Sequence, residues 1–134
     1  MNLATDLPVT TVTTLVLAAW MIVLGYRVVL RRRSARVPYG DGEDRKLTKR
    51  IRAHANAAEQ VPIALIMLGL AELGNTPSSW LWTMAGILIV GRFIHGVFFT
   101  FHGFPWQMRF IGMGLTFGAQ ILLIGTLVGT LISV

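Results

Sequence analysis

The stretch Arg50-Ile-Arg52-Ala-His54-Ala-Asn56-Ala-Ala-Glu59-Gln-Val-Pro62 opens onto the apolar run Ile63–Leu70. Its polar residues are not scattered. Arg52, Asn56 and Glu59 follow the i, i+4, i+7 rule and so share one face of a helix, while His54 points largely away. A carboxylate at the mouth of an apolar run is unusual. An ionised group inside a bilayer span costs about 2.5–3.5 kcal/mol on insertion scales, and such groups are generally paired and functional.

Working outward, the 134-residue chain is 54% apolar, which leaves room for one domain. A bilayer span needs about 20 mainly apolar residues. Four stretches qualify, at about Pro8–Leu30, Arg50–Leu73, Ser78–Phe101 and Phe110–Val134. The expected fold is therefore an all-α, four-transmembrane-helix bundle occupying residues 1–134 as a single domain. There is no Cys, which excludes disulfides, thiolate metal sites and a Cys nucleophile.

The net charge of +6 invites a nucleic-acid reading, but its distribution excludes one. Ten of the twelve basic residues lie between Arg27 and Arg52, and only Arg92 and Arg109 lie elsewhere. A basic block between two apolar spans, here the loop 31–49, is the pattern of a cytoplasmic loop. Pro38, Gly40, Asp41, Gly42, Glu43 and Asp44 make that loop read as an irregular, solvated connection. The link Glu72–Trp80 has no basic residue and falls on the opposite side; the link His102–Arg109 returns to the basic side. Both termini then face outward. Met1–Thr14 lacks the basic start of a signal peptide, and a bacterial inner membrane is the expected location. Trp80, Trp82 and Trp106 fit interfacial anchors.

The third span holds the opposite charge. Arg92, His95, Phe99 and His102 share one face of that helix. Glu59 lies about 10 Å along its helix from Arg52, and Arg92 about 15 Å from His102. Antiparallel neighbours thus bring Glu59 and Arg92 to similar height, and a structural ion pair between them is expected. With Arg52, His95 and Arg109 nearby, this half of the bundle becomes an electropositive polar cavity. No metal site is expected, since the histidines have no matched carboxylate set. His54 and His102 read as solvated interface residues. In the fourth span Gly114, Gly118, Gly125 and Gly129 line one helix face. They suit either packing within the chain, the reading preferred here, or a seam between subunits.

The stretch 50–62, together with Gly91-Arg92-Phe-Ile-His95 and Arg109, resembles the signature of the MAPEG family, the membrane-associated proteins of eicosanoid and glutathione metabolism. The likeness is strongest to its prostaglandin E synthase and microsomal glutathione transferase branch and covers nearly the whole chain. It implies a homotrimer that binds glutathione between neighbouring subunits, in the cytoplasmic half of the membrane. By that resemblance Arg52, Asn56 and Glu59 hold the tripeptide, Arg92 pairs with the glutamate and His95 lines the site. Arg109 stabilises the glutathione thiolate, and either Arg27 or Arg31 adds a first-helix contact. The chain departs from the family at Phe99 and in Phe110-Ile-Gly-Met113, where tyrosines are common, and at Ala55, where the prostaglandin branch has arginine.

The expected function is a glutathione-dependent membrane transferase or peroxidase acting on a lipophilic small molecule that arrives from the lipid bilayer. One alternative is a non-catalytic lipid- or small-molecule-binding protein on the same scaffold, since fold does not fix activity. A less favoured one is a small proton-coupled exporter working through Glu59. A neighbouring Arg92 counts against it by keeping the carboxylate ionised.

Overall fold

The computed structural model describes residues 6–100 and 105–132 of the chain. Four helices follow one another: α1 (Pro8–Ala35), α2 (Arg45–Leu73), α3 (Ser78–Thr100) and α4 (Gln107–Ile132). Phe101, the predicted end of the third span, and His102 just after it lie outside the described residues, as do Ser133 and Val134 at the end of the fourth span.

By length and composition α1, α3 and α4 are apolar enough to cross a membrane unaided. Helix α2 is not, because its first half carries Arg45, Lys46, Lys49, Arg50, Arg52 and Glu59. It is nevertheless held alongside α1 from end to end. At one end the Glu72 carboxylate accepts the Val9 and Thr10 N–H groups at 2.9 and 2.8 Å. At the other, Arg31 forms an ion pair with Asp44, the residue that caps α2. Two antiparallel helices of 28 and 29 residues, each about 42 Å long, are thus coextensive. What α1 spans, α2 spans with it.

Each clamp follows from a local need. Helix α1 begins with Pro8, whose missing N–H costs nothing in the first turn, and has no side-chain cap of its own. Glu72 satisfies the next two orphan donors and sets a negative charge against the helix N-terminus. The other end of α1 closes with Arg36 in the left-handed region at φ 55°. There the Val37 N–H reaches the Arg32 carbonyl and the Arg36 N–H reaches that of Arg33, a Schellman closure. The following loop is folded rather than merely solvated. Arg32 donates to the Gly40 carbonyl at 2.7 Å, Thr48 donates to Asp41 at 2.9 Å, and Asp44 accepts the Lys46 and Leu47 N–H groups.

The Arg31 guanidinium, with the N–H groups of Leu47 and Lys46, holds the Asp44 carboxyl below the usual carboxylate range. A carboxylate with a lowered folded pKa stabilises above its unfolded pKa, and the effect fades as pH falls through the folded value. Asp44→Asn keeps a capping oxygen but removes the charge. The substitution is expected to lower the melting temperature of the detergent-solubilised protein at pH 7. The gap should close on acidification below pH about 4; a gap independent of pH would refute the ion pair's role.

Helices α2 and α3 each touch the other three, and α1 and α4 lie on opposite sides of that central pair. The inward stripe of α2 is Ala53, Ala57, Val61, Ala64, Leu68 and Ala71, all buried. Mostly alanines, it lets the neighbouring helices approach closely. The α3–α4 contact is tighter still, where Gly91 and Gly112 face each other. A Cβ on Gly112 would lie 2.7 Å from the His95 nitrogen and 2.9 Å from the Gly91 carbonyl oxygen. Trp20 fixes α1 on α3, stacking on Phe93 at 4.4 Å and donating to the Arg92 carbonyl at 3.3 Å. Trp80 and Trp82 sit half-exposed at the Glu72 end, and exposed Trp106 precedes α4 at the basic end.

The glycine stripe of α4 turns the other way from the preferred reading. A Cβ on Gly114, Gly118, Gly125 or Gly129 would meet nothing within 4 Å. Among the described residues no side chain packs over these positions, which face the outside of the bundle as a shallow groove.

Candidate functional site

The polar residues of α2 fall seven to fourteen residues after its start, about 10–21 Å from the basic end. There a cavity of about 140 Å³ opens between α2, α3 and α4. Helix α2 lines it with Arg52, Ala55, Asn56 and Glu59, α3 with His95 and Phe99, and α4 with Arg109 and Met113. Six of the residues singled out from the sequence thus meet around one space: Arg52, Asn56, Glu59, His95 and Arg109 on its wall, with Arg92 directly behind. Arg27 and Arg31 are not brought to it. Arg31 is engaged by Asp44, and the Arg27 carbonyl accepts from Arg50 at 3.0 Å.

The predicted Glu59–Arg92 ion pair does not form. Arg92, 2% exposed, spends its guanidinium on neutral acceptors instead. Nη1 donates to Asn56 Oδ1 at 2.7 Å, Nε to Thr116 Oγ1 at 2.7 Å, and Nη2 to Met113 Sδ at 3.3 Å. Thr116 in turn donates to the Gly112 carbonyl at 2.9 Å. Asn56 stands one helical turn nearer the basic end than Glu59, and Thr116 completes a closer nest than the carboxylate offers.

This arrangement has two chemical consequences. An arginine can only donate, so it fixes the Asn56 amide with its oxygen inward and its NH2 group toward the cavity. It also leaves Glu59 as an uncommitted carboxylate on the cavity wall. Among the described residues, Arg52 and Arg109 line the space against the one carboxylate of Glu59, and Arg92 adds a third cation behind the wall, so the field favours an anion.

Phe99 takes up a role its sequence position did not suggest. Its ring lies 5.7 Å from the Arg109 guanidinium carbon, in cation–π range, and packs against His95 at 4.9 Å. His95 is buried at 3% exposure. His54 is half-buried over Gly25 of α1, its ring 3.2 Å from where a Cβ would stand, and is not a freely solvated interface residue. Beyond the cavity, Gln120 donates to the Gln60 backbone and side-chain oxygens at 3.3 and 3.2 Å, tying α4 to α2. Thr116, Met113 and the glutamine pair carried no charge to mark them in the sequence.

A four-helix bundle with an electropositive cavity in one half and apolar helices around it defines an integral membrane protein with an amphipathic site. The chain belongs to the MAPEG family, whose model matches residues 10–129. It is 35% identical over 111 residues to the inner membrane protein YecN of Escherichia coli strain K12, covering 81% of this chain and 82% of that one. YecN of Escherichia coli O6:H1 matches to the same extent.

Proposed function

We propose that this protein is a glutathione-dependent membrane transferase or peroxidase acting on a lipophilic electrophile. It works as a homotrimer in a bacterial inner membrane, with the basic loop cytoplasmic and both termini outside. The observation that carries the reading is the convergence of Arg52, a pre-oriented Asn56, an uncommitted Glu59 and Arg109 on one cavity. The donor set fits a tripeptide thiol bearing two carboxylates and an amine. Arg52 faces a carboxylate, the Asn56 NH2 a peptide carbonyl, and Glu59 the amine. Arg109 holds negative charge on the sulfur once the thiol proton has passed to solvent, and the thiolate bonds to the electrophilic carbon as that carbon's leaving group departs.

The cavity's 140 Å³ falls below the roughly 300–1,000 Å³ of small-molecule sites, so one chain encloses only part of the ligand. The outward glycine groove of α4 gives a second copy a face to approach, and a neighbour's Arg27 or Arg31 would complete the enclosure.

Glutathione titrated into the detergent-purified protein should release binding heat and raise the thiolate absorbance in the ultraviolet. Arg109→Leu should lower turnover about tenfold beyond any loss of affinity, the effect of a thiol pKa rising by about one unit. Equal losses of turnover and affinity would count against Arg109 as the thiolate's partner. Phe99 favours one other reading, since it offers no hydroxyl to a ligand and already engages Arg109. On that reading the protein binds a lipid or small molecule without conjugating it, and the titration gives heat without thiolate. With Glu59 unpaired, the exporter reading meets its own test in pH-driven efflux with Glu59→Gln. Efflux that survives the substitution removes it.

A further inference from the structure

A second concavity, of about 360 Å³, lies at the basic end of α1, lined by Arg32, Arg33, Arg36, Val37 and Pro38. It is separate from the candidate site and shares no residue with it. Its back wall is built rather than loose: Arg32 is committed to the Gly40 carbonyl, and the Schellman closure fixes the turn through Arg36 and Val37. The guanidinium groups of Arg33 and Arg36 are exposed and have no side-chain partner among the described residues. Neither forms an ion pair: among the described residues the one ion pair at this end is Arg31–Asp44, and the Asp41 oxygens are turned to Thr48 and the Glu43 N–H.

What leads into this concavity identifies its occupant. Ile22, Tyr26, Val29 and Arg33 recur at offsets of 4, 7 and 11, which keeps them within a narrow arc of one face of α1, and Arg36, just past the helix end, joins Arg33 in lining the concavity. Ile22, Tyr26 and Val29 are 72%, 62% and 57% exposed. The surface is therefore an apolar track about 10 Å long that ends in two exposed cations without an ion-pair partner among the described residues. A free anion would use the cations alone. A molecule carrying an anionic head on an acyl chain uses both.

We infer that the Arg33–Arg36 concavity seats the phosphate headgroup of an anionic phospholipid, with an acyl chain lying along Val29, Tyr26 and Ile22. Arg33 and Arg36 donate to the phosphate oxygens, and Pro38 and Val37 cover the glycerol side.

Native mass spectrometry of the full chain, with phosphatidylglycerol and phosphatidylcholine of equal chain length, tests the site. The wild type should retain phosphatidylglycerol preferentially. Arg33→Gln with Arg36→Gln should weaken that retention roughly fivefold for each arginine removed. Arg45→Gln with Lys46→Gln removes the same charge from the same end outside the concavity, and should leave most of the preference intact. Both pairs alter exposed side chains, and unchanged melting temperatures verify folding. Equal losses in the two pairs would replace the site with diffuse attraction and overturn the inference. So would no preference in the wild type, or displacement of the lipid by millimolar inorganic phosphate.

Discussion

On the proposed function, Arg92→Leu is expected to weaken glutathione binding by about 10- to 100-fold, with a loss of stability of about 1–2 kcal/mol that leaves the protein folded. The two effects separate because they draw on different terms. The guanidinium makes two strong bonds, to Asn56 and Thr116, each worth about 1.5–3 kcal/mol for a charged donor. Against them stands the cost of keeping an unpaired cation in a membrane span, about 2.5–3.5 kcal/mol. Leucine forfeits the first and escapes the second, so the net loss of stability is about 1–2 kcal/mol. No such cancellation protects the ligand. Without Arg92 the Asn56 amide is free to turn, and the cation behind the cavity wall is gone. Isothermal titration of both proteins measures the affinity, and Arg92→Lys sorts the cause. Lysine keeps the charge but cannot point donors at Asn56, Thr116 and Met113 together. Recovery with lysine would assign the effect to charge, and its absence to the amide's orientation. Affinity unchanged in Arg92→Leu would sink the role given to Arg92.

The larger structural effect is expected at Gly112. A methyl group there would stand 2.7 Å from the His95 nitrogen and 2.8 Å from its Cβ. These atoms belong to a packed helix and cannot swing aside. Helices α3 and α4 must part, carrying His95 away from Met113 and loosening the wall between them. Overpacking of this kind costs about 1–3 kcal/mol or more, and the better helix propensity of alanine returns at most about 1 kcal/mol. Gly112→Ala should therefore melt well below the wild type, and Gly112→Val should fail to accumulate folded. Gly114→Ala, two residues on, is the matched comparison, because its methyl meets nothing within 4 Å among the described residues. It should leave the melting of the chain unchanged and, if the proposed trimer packs through this face, reduce the trimer fraction seen by light scattering or cross-linking. Wild-type stability in Gly112→Ala would contradict the close approach.

The sequence made some of this readable and hid the rest for physical reasons. Hydropathy marks α1, α3 and α4, since each must face lipid on much of its surface. Helix α2 was legible through the i, i+4, i+7 spacing of Arg52, Asn56 and Glu59, which the structure does place on one wall. The partner of Arg92 was not legible. Charge complementarity pointed to Glu59, but buried arginine takes whichever acceptors sit closest, and Asn56 and Thr116 are neutral. Thr116 is hard to single out because threonines often bond their own helix, as this one also does. The glycines of α4 announced a close approach without saying to what. Gly112 differs from Gly114 by two positions, which on a helix is the opposite side. One faces a neighbour within the chain and the other faces outward.

The double clamp between α1 and α2 bears on how the chain enters a membrane during synthesis. Arg45–Leu73 is too polar to leave the insertion machinery for lipid by itself. Its route in is as the second arm of a hairpin, with α1 supplying the apolar drive. Glu72 and Asp44 sit at opposite ends of that arm, and each closes on α1 as soon as its part of the chain emerges. Arg31–Asp44 lies at the turn, so its residues are available to pair before the far end of α2 has been made, and the pair sets the offset between the two helices. Glu72 joins last and engages the start of α1 only when α2 is complete. The polar face of α2 is thereby committed to the inside of the bundle before α3 and α4 exist to cover it.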